Sequence, residues 1–200
     1  MSMNEGVLNM ATSVLRKEIW KLNELPELRV GDSLAFKAEG IQVPMMKIIG
    51  AVSFHWGMVG EKMADDTSSI GDYSVFDSTS KGITAHLLSE YQCRHMRVYR
   101  PKMEQEVYER LKSNIIKRYY YYGDQRYDYK GVAMVALWCL LRKLGFGVEW
   151  WEHNSSRFWC LEFNEIVLRD LWKPIVPISE PPYPTNMENS PMLTKIWSTF

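Results

Sequence analysis

The hydrophobic pattern changes period near residue 102, and that change limits the folds open to the chain. Before it, β-branched and aromatic residues gather in short runs separated by turn residues. The runs are Ser33-Leu34-Ala35-Phe36 after Gly31-Asp32, then 47–59 (KIIGAVSFHWGMV), 73–76, 83–88 beyond the Lys81-Gly82 turn, and 95–99 (HMRVY). Short runs joined by short turns predict an antiparallel sheet. Beyond residue 102 the apolar residues recur at helical spacing. Val107, Leu111, Ile115 and Tyr119 mark one face of a helix over 102–121. Val132, Val135, Ala136, Cys139, Leu140 and Leu144 mark a second over 128–144, stopped by Gly145. Phe163, Ile166, Val167 and Leu171 mark a third over 160–172. The expected class is α+β, an antiparallel sheet packed on helices.

The two ends read differently from the middle. Residues 4–25 space Val7, Met10, Val14 and Ile19 or Trp20 near the helical period before Pro26, which sets 1–27 apart as an N-terminal helical extension. Residues 60–72 are polar and turn-rich and read as a loop. Beyond Lys173 come Pro174, Pro177, Pro181, Pro182, Pro184 and Pro191. So many prolines argue against regular helix and predict an extended arm over 174–200. The body of the protein is then 28–173.

Composition narrows the function. Two hundred residues favour a single domain, and 24 basic side chains against 24 acidic ones leave no net charge. That balance argues against a nucleic-acid binder, which needs a basic excess or stripe. No P-loop, GxGxxG, HExxH or GxSxG motif is present, so neither a metal nor a cofactor is expected. Residues 1–25 hold no apolar run suited to a signal peptide, and no run approaches the roughly 20 residues that span a bilayer. A chain made in the cytoplasm, without a transmembrane segment, is expected. Action outside the cell would need another route, such as packaging into a virion.

Three cysteines, Cys93, Cys139 and Cys160, lack CxxC spacing and suggest neither a zinc knuckle nor a disulfide framework. Cys160 follows a loop and opens a helix. Unpaired N–H groups and the positive end of the helix dipole favour a thiolate there and can hold an oxyanion. Packing as a small apolar core residue is the alternative. His55 lies within an apolar strand, which fixes its direction as a base requires, although core histidines also occur there. Asp77, after 73–76, can orient an imidazole as the third member of a triad, or simply cap a turn with Ser78 and Thr79. His86 is the alternative orienting residue. Cys139 sits on a helix face and reads as core. Cys93 and His95, two apart on one expected strand, would share a face, but two ligands do not make a metal site. His153 and the Asp65-Asp66 pair read as solvated loop residues.

The order of these motifs carries a resemblance. Gly31-Asp32 before a strand is followed by FHWGMV, SVFDSTSKGI, YDY and FWCLEFNEIVL. This order resembles the YiiX-type permuted papain-like family, a circularly permuted branch of the NlpC-type cysteine peptidases. The His-first, Cys-last layout is shared with lecithin:retinol acyltransferase relatives. The resemblance covers about residues 28–172 and implies a permuted papain-like α+β fold. It makes Cys160 the nucleophile, His55 the general base and Asp77 the residue that orients His55. Glu162 matches the glutamate after the family cysteine and is expected in a first-turn structural role. Tyr127-Asp128 matches a segment near the site. Leu161 stands where the family has Ser, and Asp77 where Glu is common, so the shorter carboxylate has one methylene less reach. The implied activity is amide or ester hydrolysis through an acyl-enzyme, on a peptide, cell-wall (peptidoglycan) or acyl-lipid substrate. A second reading makes the chain a structural or attachment component of a phage particle, its arm lying on a protein partner.

Overall fold

The computed structural model describes residues 18–40, 42–63, 72–79, 81–123, 125–149 and 157–200. Its centre is a six-stranded antiparallel sheet built from β1 (Ser33–Lys37), β2 (Ser53–Met63), β3 (Asp72–Thr79), β4 (Gly82–Leu87), β5 (Met96–Pro101) and β8 (Leu193–Ser198). The order across the sheet is β4-β3-β2-β1-β5-β8. Two-residue strands β6 (Arg126–Tyr127) and β7 (Arg157–Phe158) pair in parallel as a separate small ladder. The helices are α1 (Gln42–Ile49), α2 (Gln105–Tyr122), α3 (Tyr129–Lys143), α4 (Cys160–Leu171) and α5 (Pro184–Glu188). The α+β class expected from the change of period is the class observed.

Alternation along the strands divides the core in two. Ala35, Trp56, Met58, Phe76 and Tyr99 face the helices, where they meet Ile115 of α2 and Phe163, Val167 and Leu168 of α4. Leu34, Phe36, Val59, Val75, Met96 and Val98 face the other way. Among the described residues that second face is covered without an α-helix. Trp20, only 2% exposed, lies on it with Leu28 and Tyr91, and its indole N–H donates to the Arg94 carbonyl at 2.8 Å. The loop into β1 is fixed by Gly31, at φ +89°, a left-handed conformation that favours glycine. Buried Asp32 beside it receives two hydrogen bonds from Arg100, at 3.0 and 2.7 Å, and one from the Arg29 amide at 2.9 Å. The Gly-Asp pair therefore braces the fold.

Several expectations are corrected. Residues 47–49 are the end of α1, and strand begins only at Ser53. Pro44 in the first turn of α1 suits a helix start, and Gly50 at φ +74° ends it. Strand β2 runs on to Met63 through the expected loop, whose remainder, with Asp65 and Asp66, lies outside the described residues. Of the helix expected over 4–25, only residues 18–25 are described, and they hold one 3-10 turn, Leu22–Glu24. Packing of Trp20 on the sheet overrides the helical pattern there, and residues 1–17 lie outside the described residues. Leu140 on α3 and Leu144 just beyond its end are exposed, and Trp138 is buried in their stead.

The largest correction concerns the proline-rich tail. It carries α5, started by Pro184, and β8, which pairs with β5 from Arg97↔Ser198 to Pro101↔Leu193. Ile175, Val176, Met187 and Leu193 are core residues. Glu188 accepts from Arg97 at 2.6 Å and is bonded to Ser53 and Tyr99. The expected free arm for a protein partner is thus an intramolecular strand. No helix among the described residues is long and apolar enough to cross a membrane.

Three stability measurements follow from this packing. Met187 is fully buried, so Met187→Ala should cost about 2–5 kcal/mol in denaturant unfolding, and cutting the chain after Lys173 should abolish cooperative melting. Glu165 of α4 accepts from the Ile175 amide at 2.9 Å, and burial pushes its pKa from 4.5 up to about 7. The stability linked to this carboxyl is present below about pH 4.5 and lost as pH rises through about 7. Glu165→Gln should therefore melt higher relative to wild type at about pH 8 than at about pH 5, as read by thermal denaturation across pH.

Candidate functional site

The β2–β3 ladder places the first two candidate residues together. It pairs Gly57 with Asp77 and carries no pair beyond that point, while His55 lies two residues further along β2 on the same face. The diagonal is short enough for His55 Nε2 and Asp77 Oδ2 to sit 2.8 Å apart. Gly57 keeps the lane between them open. A Cβ there would come within 2.7 Å of Val75 Cγ1 and 3.6 Å of Asp77 Cβ. The missing methylene of Asp relative to Glu is made up by this direct cross-strand placement.

Asp77 is 1% exposed and has further partners. The Tyr91 hydroxyl donates to Oδ2 at 2.7 Å, and Thr84, its cross-strand partner on β4, donates to Oδ1 at 3.4 Å. His86 lies 4.0 Å from Oδ1, with its ring bonded to Thr84 and Glu90. His86 thus stands behind the carboxylate, and Asp77 is the residue bonded to His55. Phe36, opposite His55 on β1, stacks its ring on the imidazole at 5.8 Å and on Tyr91 at 4.6 Å. These contacts fix the ring from the side.

Cys160 is the first residue of α4, and Trp159 before it provides no side-chain cap. N–H groups of that first turn are therefore left for another acceptor. The segment is anchored where the ladder ends: Ser78 Oγ donates to the Phe158 carbonyl at 2.7 Å, and the Asp128 amide donates to the same oxygen at 3.3 Å. Asn164 Nδ2 donates to the Cys160 carbonyl at 2.8 Å, tying the start of the helix to its next turn. Asp128 caps α3 through the Gly131 amide at 3.0 Å, and the Trp159 ring packs so closely on Gly131 that a Cβ would not fit.

Electrostatics join the three residues. Burial disfavours a charged His55, but hydrogen bonds to Asp77 and Cys160, and their negative charges, outweigh it and lift its pKa from 6.5 to about 9. Burial raises Asp77, yet the hydrogen bond and charge of His55, with Tyr91 and His86, bring it below the usual carboxylate value. Tyr127 is raised by burial and by the neighbouring Cys160, to which its hydroxyl also hydrogen bonds. Cys139, away from this cluster, is pushed to about 11 by burial.

Two cavities meet here. A larger open groove is lined by His55, Asp77, His86, Glu90 and Arg94. A small pocket is lined by Cys160 with Met46, Ile49, Val132, Val135 and Trp159. Phe54 and Tyr127 border both. Reading the sequence missed Tyr91 and Thr84. Thr84 was open to inference, since closing the hairpin at the Thr79–Gly82 pair sets Thr84 opposite Asp77. Tyr91 lies in a 3-10 turn that no local pattern aims at the site.

The other candidates stay apart from this cluster or behind it. Cys139 is core, as read. Cys93 lies before β5 and lines the groove, whereas His95 bonds Thr199 at 3.2 Å, so they do not form a strand pair as expected. Glu162 occupies the first turn of α4, where a carboxylate complements the helix dipole. His153 lies outside the described residues. Among the described residues no three His, Cys, Asp or Glu side chains converge as metal ligands would.

No protein-family model matches the chain. No curated protein matches it either. Among solved structures it is similar to the metalloprotein yiiX from Escherichia coli O157:H7, a DUF1105 protein, at 16% identity and a TM-score of 0.47. That alignment covers 85% of this chain and 97% of the other.

Because the hydrogen bond to Asp77 is the largest single contribution raising the His55 pKa, Asp77→Asn should lower it from about 9 by at least about one unit. Titration of the His55 ring by NMR reads this directly. An unchanged value would mean that the pair does not persist in solution.

Proposed function

We propose that the chain is a cysteine hydrolase of the permuted papain-like kind, with Cys160 as nucleophile, His55 as base and Asp77 as the residue that orients it. The observation that carries this reading is the His55–Asp77 pair, 2.8 Å apart, whose imidazole also interacts with a thiol in the first turn of a helix. His55 Nε2 is taken by Asp77, so Nδ1 is the nitrogen left to exchange a proton with Cys160. A His55 pKa of about 9 favours imidazolium at neutral pH.

The thiolate attacks the carbonyl of an amide or ester, and α4 N–H groups receive the developing oxyanion. The tetrahedral adduct collapses to a thioester as His55 gives its proton to the leaving group. His55, now neutral, takes a proton from water, which attacks the thioester and restores the thiolate. Asp77 stays ionised and stabilises the imidazolium. Peptide, peptidoglycan and acyl-lipid carbonyls all suit this chemistry.

Iodoacetamide at neutral pH tests the reading. Cys160 should be alkylated at least ~10-fold faster than Cys139, despite both being buried, and His55→Ala should remove the difference. Peptide mapping by mass spectrometry reads each site. Equal rates at all three cysteines would sink the proposal.

A further inference from the structure

The two cavities that meet at Cys160 differ in chemistry, and the difference orients the substrate. We infer that the group on the acyl side of the scissile carbonyl is apolar and seats in the pocket beside Cys160, while a polar leaving group lies in the groove beside His55. This inference rests on the hydrolase reading above.

The assignment follows from where the proton goes. In acyl transfer His55 protonates the leaving atom, so that atom lies on the His55 side of the sulfur. His55 lines the groove and not the pocket, whereas Cys160 lines the pocket. With the carbonyl carbon on Sγ, the leaving group points into the groove and its other substituent points away from it, into the pocket. Collapse of the adduct breaks the carbon–leaving-group bond and keeps the acyl group on sulfur as a thioester. Water then releases the acid from the pocket side.

The walls agree with that division. Met46 and Ile49 of α1, Val132 and Val135 of α3, and Pro182 and Pro184 of the tail surround the pocket with hydrocarbon. A polar acyl substituent would lose its water there with little but the Tyr127 hydroxyl to replace it. The groove instead offers His86, Glu90 and Arg94, whose guanidinium lies 5.0 Å from the Phe36 ring centre, the ring that also stacks on His55. Hydrogen-bonding and charged groups are therefore provided on the leaving-group side.

Hydrolysis of p-nitrophenyl acetate, butyrate and hexanoate by the full chain tests this, with Cys160→Ala subtracting background. We expect kcat/KM to rise about threefold to fourfold per added methylene while the pocket fills. Ala136→Phe, which adds bulk to a half-buried wall position on α3, should flatten the series, and Val132→Trp is the second variant if the first does not fold. The p-nitrophenyl ester of N-acetyl-leucine, run beside the hexanoate, separates the two sources of an apolar acyl group. Faster turnover of the leucine ester assigns a peptide and faster turnover of the hexanoate assigns a fatty acyl chain; either supports the inference. A flat or falling series, with His55-dependent alkylation of Cys160 intact, overturns the pocket assignment and leaves the hydrolase reading standing. Loss of that alkylation preference together with absent ester turnover removes both.

Discussion

Keeping the Asp77 carboxylate ionised while burying it is the constraint around which this molecule is arranged. At 1% exposure such a group is tolerable only with hydrogen-bond donors and positive charge around it. His55 comes from β2, Thr84 from β4, and Tyr91 from the 3-10 turn that follows. The residues after that turn are held in turn by the segment before β1, through Ile19 to the Gln92 carbonyl and Trp20 to the Arg94 carbonyl. One carboxylate thus links three parts of the fold, and the imidazole it fixes inherits their rigidity.

The sheet acts as the positioning device because its side-chain period is two. A one-residue slip between β2 and β3 would send His55 and Asp77 to opposite faces. Packing on both faces resists that slip. Trp56, Met58 and Phe76 are fixed against the helices, Val59 and Val75 against the Trp20 layer. Gly60 adds to the constraint, since a Cβ there would come within 2.7 Å of the Phe76 ring. Cys160 is delivered by different means, through the short strand β7, whose Phe158 is pinned by Ser78 and Asp128 at the place where the ladder stops.

Much of this was legible in the sequence, for identifiable reasons. The strand holding His55, the strand ending near Asp77 and the helix starting at Cys160 all have strong local patterns, and the observed boundaries of β3, α2, α3 and α4 fall close to those read from period alone. Long-range packing was not legible. Residues 47–49 are rich in isoleucine and read as strand, yet the chain around Pro44 turns them into the end of a helix. Trp20 fitted a helical stripe, but its indole is used on the sheet. In the tail the prolines masked a proline-free run, 192–200, that holds β8. Tyr91 was invisible because its partner lies 14 residues away across a turn whose geometry the sequence does not specify. The pocket was equally hidden, since α1, α3, α4 and the tail each contribute only part of its wall.

The tail has a bearing on the order in which the protein matures. Translation delivers Cys160 to the outside of the ribosome before Pro182, Pro184 and the edge strand that follow it. Until that segment docks, the sheet lacks β8, the pocket lacks one side, and Ile175 and Met187 are missing from the core. A nascent chain therefore holds the thiol without the finished chamber around it. Closure of the pocket waits for the segment that carries Pro182, Pro184 and β8 to dock on the sheet, so the wall beside Cys160 is among the later parts of the fold to form.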